Sequence, residues 1–313
     1  MAARATRSAS RKARLTEAVA TGPLGALSHD ELGVIVDGLA DPLQPVVAVA
    51  LSSTCLGLRT PLWAALEVLK ERHERAVALC RKVGVSCAAL HGAERLDWDH
   101  RGLTADDKAT LGMLLSKWLP RLQEIYLNYI GFGDTGMRAL CEGLGRGAAP
   151  SILTLMLDGN KFGPAGAEAL AAALHRGAMP KLDMLSFHSN PIGNQGIAAL
   201  AATLRQRPAL QQLSLARCEI GDEGVASLVA NLGKDDFGQL EKLYLSNNKI
   251  TDAGCATLSR ALDDGVCPPL QLLTLANNPA SEAARQAVRD ALSRARARVR
   301  LNSHPTAPTF ECN

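Results

Sequence analysis

Apolar positions along this chain follow two rhythms that take turns. In Leu240 to Leu262, LEKLYLSNNKITDAGCATLSRAL, the leucines at 240, 243 and 245 read as a short strand. Asn248 and Ile250 turn the chain, Thr251-Asp252 looks like a helix start, and Cys255, Leu258 and Leu262 follow at helical spacing. The same unit recurs with starts at Leu122, Ile152, Leu182, Leu210, Leu240 and Leu270, 30 residues apart except for 28 between Leu182 and Leu210. Its strand positions hold Leu122/Ile125/Leu127, Ile152/Leu155/Leu157, Leu182/Leu185/Phe187, Leu210/Leu213/Leu215, Leu240/Leu243/Leu245 and Leu270/Leu273/Leu275. Its helix positions hold Met137/Leu140/Leu144, Ala167/Leu170/Leu174, Ile197/Leu200/Leu204, Val225/Leu228/Leu232 and Cys255/Leu258/Leu262, and then Arg285/Val288/Leu292, where the arginine suits a terminal unit with one solvent face.

Just past each strand stands Ile130, Asn160, Asn190, Cys218, Asn248 or Asn278. An inward-pointing Asn amide both donates to and accepts from turn backbone that no strand would satisfy. Cys218 keeps only a weak thiol donor and Ile130 keeps none, so the turn at Ile130 is expected to be less regular. Glycines follow at 136, 166, 196, 224 and 254, where they are expected to serve turns by permitting positive φ.

These residues resemble the leucine-rich repeat family, L-x-x-L-x-L-x-x-N/C-x-L, over about Leu122 to Leu292. The helix after each strand, with Gly133-Asp134-Thr135-Gly136 and Gly221-Asp222-Glu223-Gly224, is similar to the ribonuclease-inhibitor subtype. Leu96-Asp97-Trp98, with Leu103, Leu111 and Leu115, reads as an earlier capping copy that carries Arg101 where the Asn belongs. The resemblance implies an α/β solenoid, a horseshoe with parallel strands on the concave side and helices on the convex side. Elementary energetics agrees. One unit alone leaves its leucines half wet, whereas stacked strands about 4.8 Å apart close a continuous core.

A small all-helical segment is expected before the repeats. Leu32, Ile35 and Leu39 share one helix face after Ser28 or Asp30, Val46 to Leu51 suggests a second helix, and Leu62 to Val83 a third, amphipathic one linked by residues 84–92 to the capping copy. Leu27, Glu31, Leu32 and Ile35 resemble the opening of an F-box, although Ser28 and Gly33 depart from it. Either an F-box or an all-helical cap fits residues 27–62. The expected organisation is a basic tail at 1–22, a helical segment at 23–92, repeats at 93–300 and a tail at 301–313.

Composition adds limits. The 313 residues are 47% hydrophobic and 21% charged, as in globular chains, with 4% aromatic residues and so an aliphatic core. The net charge of +3 hides basic ends: Arg4, Arg7, Arg11, Lys12 and Arg14 precede the first acid, and Arg285 to Arg300 form a second run. Residues 1–22 read as a disordered tail or as an organelle transit peptide. A nucleic-acid arm is disfavoured because no aromatics interleave. The 8 cysteines include no C-x-x-C pair and no N-x-S/T sequon occurs, which favours an intracellular location, cytoplasmic or nuclear, with organelle import by the tail as the variant. No apolar run is long enough for a membrane span.

No phosphate loop, H-E-x-x-H or metal-spaced Cys/His cluster is present, so neither cofactor nor metal is expected, and no catalytic residue. Strand alternation turns Tyr126, Asn128, Met156, Asp158, Ser186, His188, Ser214, Tyr244 and Ser246 outward, joined by Arg217. Asp158, His188 and Ser186 are neighbours across the ladder, yet a flat sheet offers no free amides for an oxyanion hole. The expected function is protein binding through the concave face, with an unidentified protein as partner. Resemblance to an F-box adds a Skp-type adaptor at residues 27–62 and a substrate-adaptor role in a ubiquitin ligase. The alternative is a scaffold subunit of an organellar or cytoskeletal assembly.

Overall fold

The computed structural model describes residues 34–35, 38–54, 63–230, 237–265 and 270–303. They fall into two compact units, residues 1–92 and 93–313. In the first unit, helices α1 (Val46–Thr54), α2 (Trp63–Val83) and α3 (Cys87–His91) follow one another. Helix α2 buries Leu69, Ala76, Leu79, Cys80 and Val83, one stripe at helical spacing. The expected link at 84–92 contains α3, started by Ser86, whose hydroxyl accepts from the Ala89 N–H at 3.1 Å. The opening of the F-box-like segment, including Leu27, Glu31 and Leu32, lies outside the described residues, as do the expected tail at 1–22 and residues 304–313 of the tail expected at 301–313.

The second unit holds seven three-residue strands in one parallel sheet, in chain order: β1 (Arg95–Asp97), β2 (Glu124–Tyr126), β3 (Thr154–Met156), β4 (Met184–Ser186), β5 (Gln212–Ser214), β6 (Lys242–Tyr244) and β7 (Leu272–Thr274). The capping copy therefore supplies the first strand, and Trp98 is buried beside it. After each strand comes a helix: α4 (Ala105–Lys117), α5 (Gly133–Glu142), α6 (Pro164–His175), α7 (Gly193–Arg205), α8 (Asp222–Val229), α9 (Asp252–Asp263) and α10 (Glu282–Ser303). Helix α10 runs past the expected repeat boundary at 300, and Leu144 lies beyond the end of α5 but is still buried. Consecutive helices pack on one another, so strands line one side and helices the other. This is an α/β leucine-rich-repeat solenoid.

Register is fixed by the middle leucine. Leu96, Ile125, Leu155, Leu185, Leu213, Leu243 and Leu273 stand opposite one another in successive pairs, and a one-residue slip would turn every one of them outward. The Asn positions act as the sequence predicts. Asn190, fully buried, donates from Nδ2 to the carbonyls of Leu157 (2.8 Å) and Phe187 (2.9 Å), and its Oδ1 accepts from the Asn160 N–H at 2.9 Å. Cys218 keeps one arm of this pattern: its thiol donates to the Phe187 carbonyl at 3.1 Å. Burial pushes that thiol up to about 12, so it stays protonated and able to donate. The sequence predicts a less regular turn at Ile130, but its positive φ at Tyr129, Gly131 and Gly133 recurs at Gly159, at Lys161 and at Gly193, and the Ile130 N–H donates to Asn160 Oδ1 at 3.0 Å as the Cys218 N–H does to Asn248 Oδ1.

The helical glycines do something other than expected. Gly136, Gly166, Gly196, Gly224 and Gly254 lie inside helices without positive φ, and the positive φ just before the ladder position falls on His100, Tyr129, Gly159, Ser189, Arg217, Asn247 and Asn277, all but one of them non-glycine. What the helical glycines supply is space. The Gly254 N–H donates to Asp222 Oδ1 at 3.0 Å, and a Cβ at 254 would come within 2.3 Å of that oxygen. Asp134 makes the same clasp three levels earlier, accepting from the Gly163 and Gly166 N–H groups at 2.8 Å each. Each carboxylate thus sits at the N-terminus of the next helix, where orphan N–H groups and the helix dipole both favour a negative group. Asp252 closes the series on the Ser281 N–H (2.6 Å) and hydroxyl (2.9 Å), which hold its carboxyl below the usual range. At the other helix ends, Arg176 donates to the Cys141 and Leu144 carbonyls, and buried Arg207 to those of Ala178 and Met179. In α10, Arg294 and Arg298 pair with Asp263, and Arg285 and Arg289 with Glu282.

Candidate functional site

Alternation puts two residues of each strand on the face away from the helices. The row just after the middle leucine runs Asp97, Tyr126, Met156, Ser186, Ser214, Tyr244 and Thr274, and the row just before it runs Arg95, Glu124, Thr154, Met184, Gln212, Lys242 and Leu272. The second row is absent from the residues selected by sequence, although the same alternation that selects Met156 also selects Met184. A third row, past the strand ends, holds Asp99, Asn128, Asp158, His188, Ala216, Ser246 and Ala276.

The third row is wired lengthwise. Asp99 accepts from the Asn128 N–H at 2.7 Å and from its Nδ2 at 3.0 Å. Asn128 Oδ1 accepts from the Asp158 N–H at 2.8 Å. Asp158 Oδ1 accepts from the Ser186 hydroxyl at 2.5 Å. Strand ladders leave these N–H groups without a backbone partner, and each side chain supplies the acceptor for the next level. The series stops at Ala216, whose side chain has no polar atom, and a separate hydroxyl pair, Ser246 to Thr274 at 2.9 Å, follows it.

This wiring sorts the residues selected by sequence. Ser186 is 3% exposed and Asn128 9%, so both are covered, with their polar groups committed inside the protein. Tyr126, Met156, Asp158, His188, Ser214, Tyr244 and Ser246 are half-buried, and Arg217 is exposed at the lip at a φ of 56°. Burial pushes the Asp158 carboxyl up, against the pull of the Ser186 hydroxyl and of His188. Ser186 donates to the carboxylate rather than to His188, so the three groups lack the nucleophile-to-base contact that acyl transfer requires. Among the described residues no group of three or more His, Cys, Asp or Glu could hold a metal ion.

Met156, Met184 and Tyr244 wall a depression of about 270 Å3 between β3 and β6, with Asp158, Ser186, His188, Gln212 and Ser214 on its polar side. Toward β1 the same face holds a guanidinium of its own. Arg95 lies 4.1 Å from the centre of the Tyr126 ring and donates to Glu124 Oε2 at 3.1 Å. Beside it, the rings of His100 and Tyr129 stack at 5.0 Å, and Tyr129 reaches over Gly159, where a Cβ would come within 2.2 Å of the ring. Sequence alone gave no signal for this stack, because both residues lie in positive-φ turns.

The family model described as Leucine Rich repeat matches residues 148–171, 208–229 and 240–259. No curated protein sequence matches the chain. A solved structure titled Leiomodin-1 Actin-Binding Site 2 (ABS2) is similar at 16% identity and a TM-score of 0.33, over 44% of this chain and 92% of that one, a likeness too low to carry an argument. Among the described residues no helix is long and apolar enough to cross a membrane.

Proposed function

We propose that this chain, which carries leucine-rich repeats, is a non-enzymatic protein-binding module that receives its partner on the concave strand face. The observation that carries the reading is the composition of the face at its centre. Thr154, Met156, Met184, Gln212 and Ser214 form an uncharged band, flanked by Tyr126 on one side and Tyr244 on the other. Charge depletion at the centre with aromatic and methionine anchors is the composition of interface cores. The third row supports it further, since its wiring leaves a rigid surface with little ordering cost on binding. A partner isolated by affinity purification and re-expressed should lose at least tenfold in affinity when Tyr126, His188 and Tyr244 are replaced together by alanine. Unchanged affinity would remove the concave face from the account.

A second reading adds an adaptor contact through residues 27–62. It is supported by helix α1, which leaves Val46, Val47 and Val49 exposed. Co-purification with a Skp-type adaptor that disappears when residues 27–62 are deleted would support it, and co-purification that survives the deletion would refute it.

A further inference from the structure

Asp158 is an anomaly on this face. It is the one carboxylate among the residues lining the depression, half-buried beside Ser186 and His188, with Asp99 as an acidic neighbour and no lysine or arginine paired to it among the described residues. Ser186 occupies Oδ1, and the Ser186 hydroxyl is itself buried, so the carboxylate is locked in orientation. The Ser186 hydroxyl and the His188 backbone hold the carboxylate in place without neutralising it, and a desolvated carboxylate with no cation paired to it among the described residues is costly to keep unless something meets it.

The same face displays what would meet it. At β1 and β2, Arg95 lays its guanidinium against the Tyr126 ring while donating to Glu124, the aromatic coming from the row after the middle leucine and the carboxylate from the row before it. Between β3 and β6 the parts recur without the cation: Tyr244 in the same row as Tyr126, the methionine walls, and Asp158. A guanidinium is planar, carries apolar faces for Met and Tyr, and presents a fork of N–H groups to a carboxylate. A space of about 270 Å3 is large enough for one such side chain.

We propose that the depression between β3 and β6 takes an arginine side chain projecting from the protein partner, stacked among Met156, Met184 and Tyr244 and ion-paired to Asp158. This rests on the concave-face reading above and names the partner's chemistry. Charge complementarity selects the occupant: a neutral or acidic side chain would leave Asp158 buried without a counter-charge.

The test is selection of a random dodecapeptide library on the immobilised full chain, followed by affinity measurement of the enriched peptides. The expected result is enrichment of arginine at a fixed position, with at least tenfold weaker binding after Asp158→Asn and after replacing that arginine by citrulline, which keeps the shape and removes the charge. The citrulline arm needs no protein variant, so a folding defect in Asp158→Asn cannot mask the answer. Enriched peptides that lose binding on Met184→Glu but lack arginine, or tolerate citrulline, overturn the arginine proposal and leave the concave face standing. Peptides that bind equally well to Met184→Glu, or a selection with no enrichment, overturn both.

Discussion

Replacing Asn190 by alanine removes a side chain on which the backbone depends. The side chain is fully buried and holds three backbone groups at once: the Leu157 and Phe187 carbonyls and the Asn160 N–H. Alanine leaves the Asn160 N–H without a partner, while the Leu157 carbonyl keeps Asn160 Nδ2 at 2.8 Å and the Phe187 carbonyl keeps the Cys218 thiol at 3.1 Å. The orphaned N–H costs about 1–3 kcal/mol and each lost carbonyl bond about 0.5–1 kcal/mol. The expected loss is therefore about 2–4 kcal/mol, a sizeable share of an ordinary domain's stability. The chain contains its own control. Cys218 already lacks the amide, and the Leu215 carbonyl that it leaves is taken by Asn248 Nδ2 at 2.7 Å. Restoring the amide with Cys218→Asn adds an acceptor facing the Asn190 N–H and should stabilise by about 0.5–1.5 kcal/mol. Urea unfolding followed by circular dichroism measures both. In a stack where each unit leans on its neighbours, Asn190→Ala should also broaden the transition, as the levels before and after β4 uncouple. A loss below about 1 kcal/mol for Asn190→Ala, or a clear destabilisation by Cys218→Asn, would refute the reasoning that these side chains are the backbone's partners.

Other outcomes follow from the same geometry. Ser189→Gly relieves a φ of 59° and should raise the melting temperature by a few degrees, whereas Gly254→Ala drives a methyl into Asp222 and should lower it. Asp158→Asn should stabilise at pH 7. A carboxyl raised by burial makes the native state bind protons that the unfolded chain has released, so its cost grows as pH rises from the ordinary carboxyl value through the folded one, and the advantage of asparagine should vanish below about pH 4. In native protein at pH 8, Cys141 and Cys218, both pushed up to about 12 by burial, should resist iodoacetamide while half-buried Cys87 reacts; equal labelling rates would contradict the burial assigned to them.

Much of this fold is legible in the sequence because its signals are redundant. Every level repeats the same leucine spacing, and Asn160, Asn190, Asn248 and Asn278 do what an inward amide at that offset has to do. The glycines were harder to read. A glycine signals either positive φ or close approach, and only the coordinates separate the two: Gly254 faces a carboxylate, while the positive φ falls on Asn247. The face was half legible. Alternation finds Met156 and Tyr244, but the burial of Ser186 depends on Asp158 one strand away, a contact that no local pattern encodes. The Arg95–Tyr126 and His100–Tyr129 contacts join different repeats and stayed hidden for the same reason.

The most direct test of the binding face uses a photo-crosslinking amino acid placed singly at Met184, on the strand face, or at Gln195, exposed on helix α7. Irradiation in native extract should join a discrete protein to the Met184 variant and not to the Gln195 variant. Cross-linking of a discrete partner from Gln195, with none from Met184, would contradict the account.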